Sequence, residues 1–365
     1  MAVSAPVGAG DTSLSRLASK RVGDFERLPK WINLVPMVAQ WLWLGLRHGS
    51  VTLPSSANPH ITAGGLVGDT KSEYFHCMGA LARSKVADFV VVHAHGAASL
   101  AAALAAMREA NLGFPIVAKP DLGWCGFGVR RIDDAAALRD YLARYPHDAA
   151  LMLQQYLSEP GEAGLFYTRH PDQPAGRLLG ILLRHYPQVV GDGTSTVAQL
   201  IKADVRLRRA THSPAHECSY TPEQVPAAGE IVRLSLIAST RVGGRYEDGS
   251  SHATVELTEA VEAVARDMPQ FHIGRLDVRY LSLEHLRRGQ FTIMEVNGAG
   301  SEAVYAWDSK YSIREVYRMV FTKQRLLFAL AAANRARGHK PVGVFALARH
   351  YLRQQRLIRQ YPPSN

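Results

Sequence analysis

"FTIMEVNGAGSEA", residues 291–303, closes an apolar run with a carboxylate, Glu295, and a carboxamide, Asn297, two positions apart, and then breaks into glycine. A strand that buries Phe291, Ile293 and Val296 has no packing use for an acid and an amide at its end, so the pair asks for a chemical reason. Upstream, "HIGRLDVRYL", residues 272–281, reads as a second strand, and a polar turn, "SLEHLRRGQ", separates the two. Strand alternation places Arg275 and Asp277 on one face of the first and Glu295 and Asn297 on one face of the second. In an antiparallel hairpin those faces can coincide. Three oxygen-bearing side chains so placed suit a hard cation such as Mg²⁺, which takes one or two carboxylates and completes its shell with water and substrate phosphates. The plain alternative is a surface pair of acids satisfied by Arg275 and Arg279.

The preceding stretch alternates strands and helices. "DFVVVHAH", residues 88–95, reads as a strand, "AASLAAALAAMREANL", residues 97–112, as a helix, and "FPIVAKP", residues 114–120, as a strand. Gly123, Gly126 and Gly128 follow, a cluster whose backbone amides can converge on a phosphate. After them come a short strand, "VRRI", and a helix opening on an Asp cap, "DDAAALRDYLARY". The glycines therefore join strand to strand. A dinucleotide fingerprint joins strand to helix, so a Rossmann reading is disfavoured. A glycine hairpin with a solvated Lys119 is the plain alternative. "LMLQQYLSEPGE", residues 151–162, then carries an apolar strand into Gln154, Tyr156 and Leu157.

At 365 residues the chain can bury a sizeable core, and length suggests two to three lobes of about 100–200 residues each. Its 47% apolar and 20% charged residues are those of a soluble globular protein. Cys77, Cys125 and Cys218 lie far apart, so neither a zinc site nor a disulfide framework is suggested and a reducing cytoplasm is the expected compartment. The first twenty residues are small and polar, unlike a cleavable signal.

The net charge of +10 is unevenly placed. Ten of the 42 basic residues follow Glu315, the last acid, which leaves 32 to balance the 32 acids before it. Such a basic C-terminus reads as a solvated face, with an anionic membrane or nucleic acid as the sharper alternative; nothing else in the sequence indicates nucleic acid. Residues 341–361, "PVGVFALARHYLRQQRLIRQY", read as a helix with Val344, Leu347, Tyr351 and Ile358 tending to one side. "WINLVPMVAQWLWLGL", residues 31–46, is the most hydrophobic stretch, too short for a span of about 20 residues and interrupted by Pro36. It reads as a core helix, with a membrane-surface helix as the alternative.

The order of these elements resembles the ATP-grasp superfamily, particularly carboxylate–amine ligases of the D-alanine:D-alanine ligase and cyanophycin synthetase type. The resemblance covers residues 85–310. It implies an α+β, ATP-grasp fold in which two α+β lobes with antiparallel sheets grip ATP, preceded by an N-terminal region and followed by a helical C-terminus. The implied divisions are an N-terminal region over 1–85 with a substrate-binding role, a small nucleotide lobe over 86–160, a large metal-bearing lobe over 161–312 and a basic helical segment over 313–365.

By the same resemblance Lys119 contacts nucleotide and Gly123, Gly126 and Gly128 form the flexible loop over the phosphates. Gln154, Tyr156 and Leu157 edge the adenine, and Glu162 meets the ribose. "VVGDGTSTVAQLI", residues 189–201, looks like the cyanophycin-type "VVGDG.ST" stretch. Asp277, Glu295 and Asn297 become metal ligands for Mg²⁺, with Mn²⁺ as a substitute, and Arg275 faces the transferring phosphoryl group. Where the family presents a second phosphate lysine, "LLRHYP" offers Arg184 and His185. Arg241, in "STRVGG", is a further phosphate or acyl-phosphate contact.

The implied activity is ATP- and Mg²⁺-dependent joining of a carboxylate to an amine, in the cytoplasm, with attachment to the inner face of the membrane as an alternative. Its rivals are phosphotransfer to a hydroxyl and a nucleotide-binding or membrane-docked scaffold without turnover. Three decoys complete the reading. "GGLVGDTKS", residues 64–72, misses a Walker A loop because Thr70 stands for its second glycine, and reads as a capped loop whose Lys71 and Ser72 are also placed to meet an anion. His93 and His95 lack a third metal ligand. Cys125 lacks a histidine partner and reads as a packed small residue.

Overall fold

The computed structural model of the chain describes residues 22–93, 98–210 and 220–364. The N-terminal part supplies helices α1 (Lys30–Arg47) and α2 (Lys71–His76). A four-stranded sheet follows, β1 (Phe89–His93), β2 (Ile116–Pro120), β3 (Arg130–Ile132) and β4 (Ala150–Gln155), antiparallel throughout in the order β1-β4-β2-β3. Helices α3 (Ala98–Glu109) and α4 (Ala135–Arg144) cover one face of it. The Asp134 carboxylate accepts from the Ala137 amide at 2.8 Å, the expected cap. Ile116, Ala118, Leu151 and Leu153 meet Met107, Leu138 and Tyr141 in that layer, leaving Lys119 and Gln154 on the other face.

The larger sheet comprises β5 (Gly161–Thr168), β6 (Arg177–His185), β9 (Arg245–Asp248), β10 (Ile273–Tyr280) and β11 (Thr292–Asn297), antiparallel in the order β11-β10-β5-β6-β9. Between β6 and β9 lies a separate pair, β7 (Gln188–Val190) with β8 (Ile231–Arg233). Helix α5 (Val255–Arg266) turns Leu257, Val261, Val264 and Ala265 onto the sheet, the 3.6-residue spacing of an amphipathic helix. Phe89 and Met152 of the small sheet join the same apolar cluster, so the two sheets share a core along one edge. This is the α+β, two-lobed arrangement with antiparallel sheets expected of an ATP-grasp fold.

Two long helices complete the chain, α6 (Ile313–Ala336), opened by a Ser312–Glu315 capping box, and α7 (Val344–Ile358). The turn "SLEHLRRGQ" contains a one-turn helix, Leu283–Arg287, because Ser282 accepts from the His285 amide. Helix α1 departs from the core reading. Its polar residues Asn33 and Gln40 face the protein, and most of its large apolar residues face outward. Among the described residues no helix is long and apolar enough to cross a membrane.

Candidate functional site

The site grows from a surplus residue. β10 and β11 pair Asp277 with Glu295 and Arg275 with Asn297, but Val278 pairs with Ile293, so Met294 is a β-bulge. Simple alternation would put Ile293 and Glu295 on one face. The bulge instead sends Ile293 and Val296 into the core with Val278 and Leu276, and Glu295 and Asn297 to the opposite face with Asp277 and Arg275. It explains how Phe291, Ile293 and Val296 are all buried. The Met294 carbonyl accepts from Lys119 Nζ at 2.8 Å, which ties the small sheet to the large one at this point.

Asp277 is the hub. Arg275 donates to it through Nε at 2.6 Å and Nη2 at 2.8 Å, Arg184 of β6 through Nη2 at 3.3 Å, and the Asn297 amide at 3.1 Å. Burial alone would raise its pKa; Arg184 and Arg275 outweigh burial and hold the carboxyl below its usual range. Glu162 lies beneath Arg184, accepting its Nη1 at 3.1 Å and the hydroxyl of Tyr186, with Arg279 Nη2 at 3.8 Å. In this arrangement Glu162 holds Arg184 in place. Burial would lower the Arg184 pKa, and Asp277, Tyr246 and Glu162 together drive it up instead. His185, one residue on, points to the other face and meets Glu247 at 2.9 Å.

Across from this hub, Lys119 Nζ also donates to Gln154 Oε1 at 2.6 Å, and the Gln154 amide nitrogen lies 3.4 Å from the Ala87 carbonyl. Burial, opposed by Glu295, pushes the Lys119 pKa down to about 8. Tyr156 carries the Arg131 guanidinium over its ring at 4.6 Å, and Leu157 is buried.

The stretch that imitates a Walker A loop is both a capped helix start and part of the site. Thr70 caps α2 through the Glu73 amide, and the Asp121 carboxylate, just beyond β2, accepts from the Ser72 amide at 2.8 Å and its hydroxyl at 2.6 Å. Ala299 and Gly300, past the end of β11, donate to the carbonyls of Gly64 and Gly65. The result is a buried Lys71 whose Nζ lies 3.4 Å from Glu295. A Cβ on Gly123 would stand 2.7 Å from that ammonium, so a side chain there would push the lysine terminus aside. Lys71 and Asp121 are the residues that local sequence reading undervalues, since their role depends on contacts between distant segments.

The glycine loop is bounded on two sides. Arg241 stacks over Phe127 at 4.6 Å, and its Nε and Nη2 have no hydrogen-bond partner; burial lowers its pKa. The end of α7 and the chain after it pass over the other side. Gln354 donates to the Gly123 carbonyl at 3.1 Å, Tyr361 to that of Leu122 at 2.7 Å, and Ser364 to that of Gly126 at 2.7 Å. Cys125 is exposed rather than packed. His93 is exposed at the end of β1, while His95 and Cys218 lie outside the described residues.

Gly126 has φ +73°, and a Cβ there would lie 3.2 Å from Ile237. A β-branched residue at such a φ is strained by about 1–3 kcal/mol. Gly126→Val is therefore expected to displace the loop and to lower stability by about 1–3 kcal/mol. Denaturant unfolding checks it, and an unchanged midpoint would show that the loop relaxes without strain.

Among the described residues no three His, Cys, Asp or Glu side chains gather into a metal site. The oxygen donors here are two carboxylates and one amide, the mixed set that suits Mg²⁺ when phosphates complete the shell. Glu295 is the more open of the two acids, its side chain being 32% exposed against 3% for Asp277.

No family model matches the chain, and no curated protein does. Solved structures similar to it include a bifunctional glutathione synthetase from Pasteurella multocida, at 16% identity and a TM-score of 0.39, over 73% of this chain and 38% of that one. The VanG D-Ala:D-Ser ligase from Enterococcus faecalis is 15% identical with a TM-score of 0.40, over 73% of this chain and 64% of that one. The D-cycloserine synthetase DcsG is 15% identical with a TM-score of 0.38, over 73% of this chain and 69% of that one. The chain thus spans less than two thirds of the first two.

Proposed function

We propose that the chain is an ATP-dependent ligase that joins a small-molecule carboxylate to an amine through an acyl phosphate. One observation carries the reading: the β10–β11 hairpin presents Asp277, Glu295, Asn297 and Arg275 on one face, with Lys71, Lys119 and Arg184 around them. Acidic oxygens ringed by cationic donors match a polyphosphate carrying a divalent cation, and little else needs both signs at such density. Asp277, Glu295 and Asn297 would hold Mg²⁺, which supplies charge neutralisation at the phosphates.

In the proposed reaction the γ-phosphoryl group passes from ATP to the carboxylate oxygen and ADP leaves. The amine nitrogen then bonds to the acyl carbon, inorganic phosphate departs and the nitrogen loses a proton. Side chains have little covalent work in such a transfer, so their contribution is positioning and charge. Arg275 and Arg184 stabilise the charge developing on the transferred group, while Lys119 and Lys71 hold phosphate oxygens. The lobes are proposed to divide the work as the sequence implies, with residues 86–160 gripping nucleotide and 161–312 bearing the metal. Incubation with ATP, Mg²⁺ and panels of acids and amines tests the reading: ADP, phosphate and an amide mass are expected. A phosphorylated alcohol without an amide would replace it with phosphotransfer.

The lowered Lys119 pKa adds a pH signature. Only the ammonium form pairs with phosphate, so ATP affinity is expected to fall as pH rises through about 8. In Lys119→Ala affinity is weaker and that fall disappears. For folding the sign is opposite: the unfolded lysine binds its proton more tightly, so this group's contribution to stability rises between about pH 8 and 10. Calorimetric ATP titrations across that range decide it, and a fall that persists unchanged in Lys119→Ala would assign it elsewhere.

A further inference from the structure

We infer that the outward face of α1, flanked by arginines of α6, docks the protein on an anionic bilayer, with the helix lying in the headgroup plane. The observation is a helix with large apolar residues on both sides, its inward side packing Leu44 and Trp41 on Phe328 and also taking up polar groups. The side facing the protein holds Asn33, only 7% exposed, whose amide donates to the Phe25 carbonyl at 2.8 Å, and Gln40, which donates to Phe321 at 2.9 Å. The opposite side presents Trp31, Leu34, Val35, Val38, Leu42 and Leu46, with Trp31 68% and Leu46 82% exposed. Their spacing of three and four residues makes one continuous apolar stripe. A surface helix normally turns polar residues to water, so the outward stripe calls for an apolar partner.

Charge selects which partner. Helix α1 contains no acidic residue. α6 runs beside it in the same direction, its Gln324 donating to the Met37 carbonyl and its Tyr317 hydroxyl to that of Asn33. Along this seam Arg314, Arg318 and Arg325 line a hollow with Pro36. Arg335 donates to the His48 carbonyl at the far end, and the Arg47 guanidinium lies over the Trp43 ring. Among the described residues the acids near this seam are paired: Glu315 in the α6 capping box, Glu26 with Arg206 and Asp24 with Arg27. An apolar stripe with tryptophans near both ends and a margin in which arginines outnumber acids suits anionic headgroups over acyl chains. A second copy would set like charges against each other. Each basic residue near such a surface strengthens binding roughly fivefold.

The sequence offers two membrane alternatives, the basic C-terminal helix and residues 31–46; α7 is committed to the glycine loop through Gln354, which leaves α1, with α6, as the lipid-facing surface. This inference is independent of the ligase reading, and its test reads no activity. The full chain is sedimented with phosphatidylcholine vesicles and with phosphatidylcholine–phosphatidylserine vesicles, at low and high salt. Binding is expected only with phosphatidylserine, weakening as salt rises. Val35→Asp with Val38→Asp, both outward and so neutral to folding by melting, should lower binding at least about tenfold, and Arg318→Glu with Arg325→Glu should remove its salt dependence. Equal binding to both vesicles, binding unchanged in the Val35–Val38 variant, or self-association in sedimentation velocity without vesicle binding would each overturn the inference, the last by assigning the stripe to a second copy.

Discussion

Glu295→Gln is expected to lower ATP-dependent turnover by about 100- to 1000-fold while the protein remains folded. The two halves of that expectation come from different features. Glu295 is the open carboxylate of the hairpin face, 32% exposed, while its partner Lys71, at 3.4 Å, is buried, so losing the pair is expected to cost about 1–3 kcal/mol. Melting should therefore fall only by the several degrees that such a loss implies. In the ligase reading the same carboxylate neutralises part of the cation that offsets the phosphate charge, and an amide of equal size cannot. Turnover within a few-fold of wild type at limiting Mg²⁺ would remove Glu295 from the metal set. A larger loss of melting temperature would instead mean that the Lys71 contact is a structural tie.

Asp277→Asn should behave in the opposite manner, destabilising the protein by about 3–5 kcal/mol, before any question of activity arises. Its carboxylate is buried and accepts from Arg275, Arg184 and Asn297, so neutralising it strands two guanidinium groups in a dry environment. The lost amount is a large part of the roughly 5–15 kcal/mol that holds a domain together. Because the folded-state pKa lies below the unfolded value near 3.9, the contribution is full at neutral pH and disappears as pH falls below about 4. Denaturant unfolding of both proteins at pH 7 and at about pH 3 measures it. A difference under about 1 kcal/mol at neutral pH would show that Glu162 and solvent already satisfy the arginines.

Local pattern made much of this architecture readable. The β10 segment announces itself through alternation, β11 through its apolar run before Glu295, α4 through its Asp134 cap, and β2 through the apolar run before Lys119. The coincidence of Arg275, Asp277, Glu295 and Asn297 on one face follows from pairing two strands, which short sequences specify well. What escaped was set by contacts between distant segments. Lys71 reaches Glu295 only because Asp121 anchors the start of α2 and because the chain at Gly64 and Gly65 runs along the end of β11. Periodicity identified α1 as a helix but could not say which face would be turned outward, since that depends on Asn33 and Gln40 finding acceptors on other elements. The tie from Gln354, Tyr361 and Ser364 to the glycine loop likewise joins residues more than two hundred positions apart.

The surplus residue at Met294 makes the length of β11, more than its composition, the quantity on which the site depends. Met294 can be exchanged for other residues at modest cost, because what the bulge lends to Lys119 is a backbone carbonyl that every amino acid has. Removing the position is another matter. With one residue fewer the strand recovers perfect alternation, and either Glu295 and Asn297 rotate into the layer occupied by α5 or Ile293 and Phe291 rotate out of it. Lineages of this chain should accordingly drift in sequence through the hairpin while tolerating no net insertion or deletion between Phe291 and Asn297.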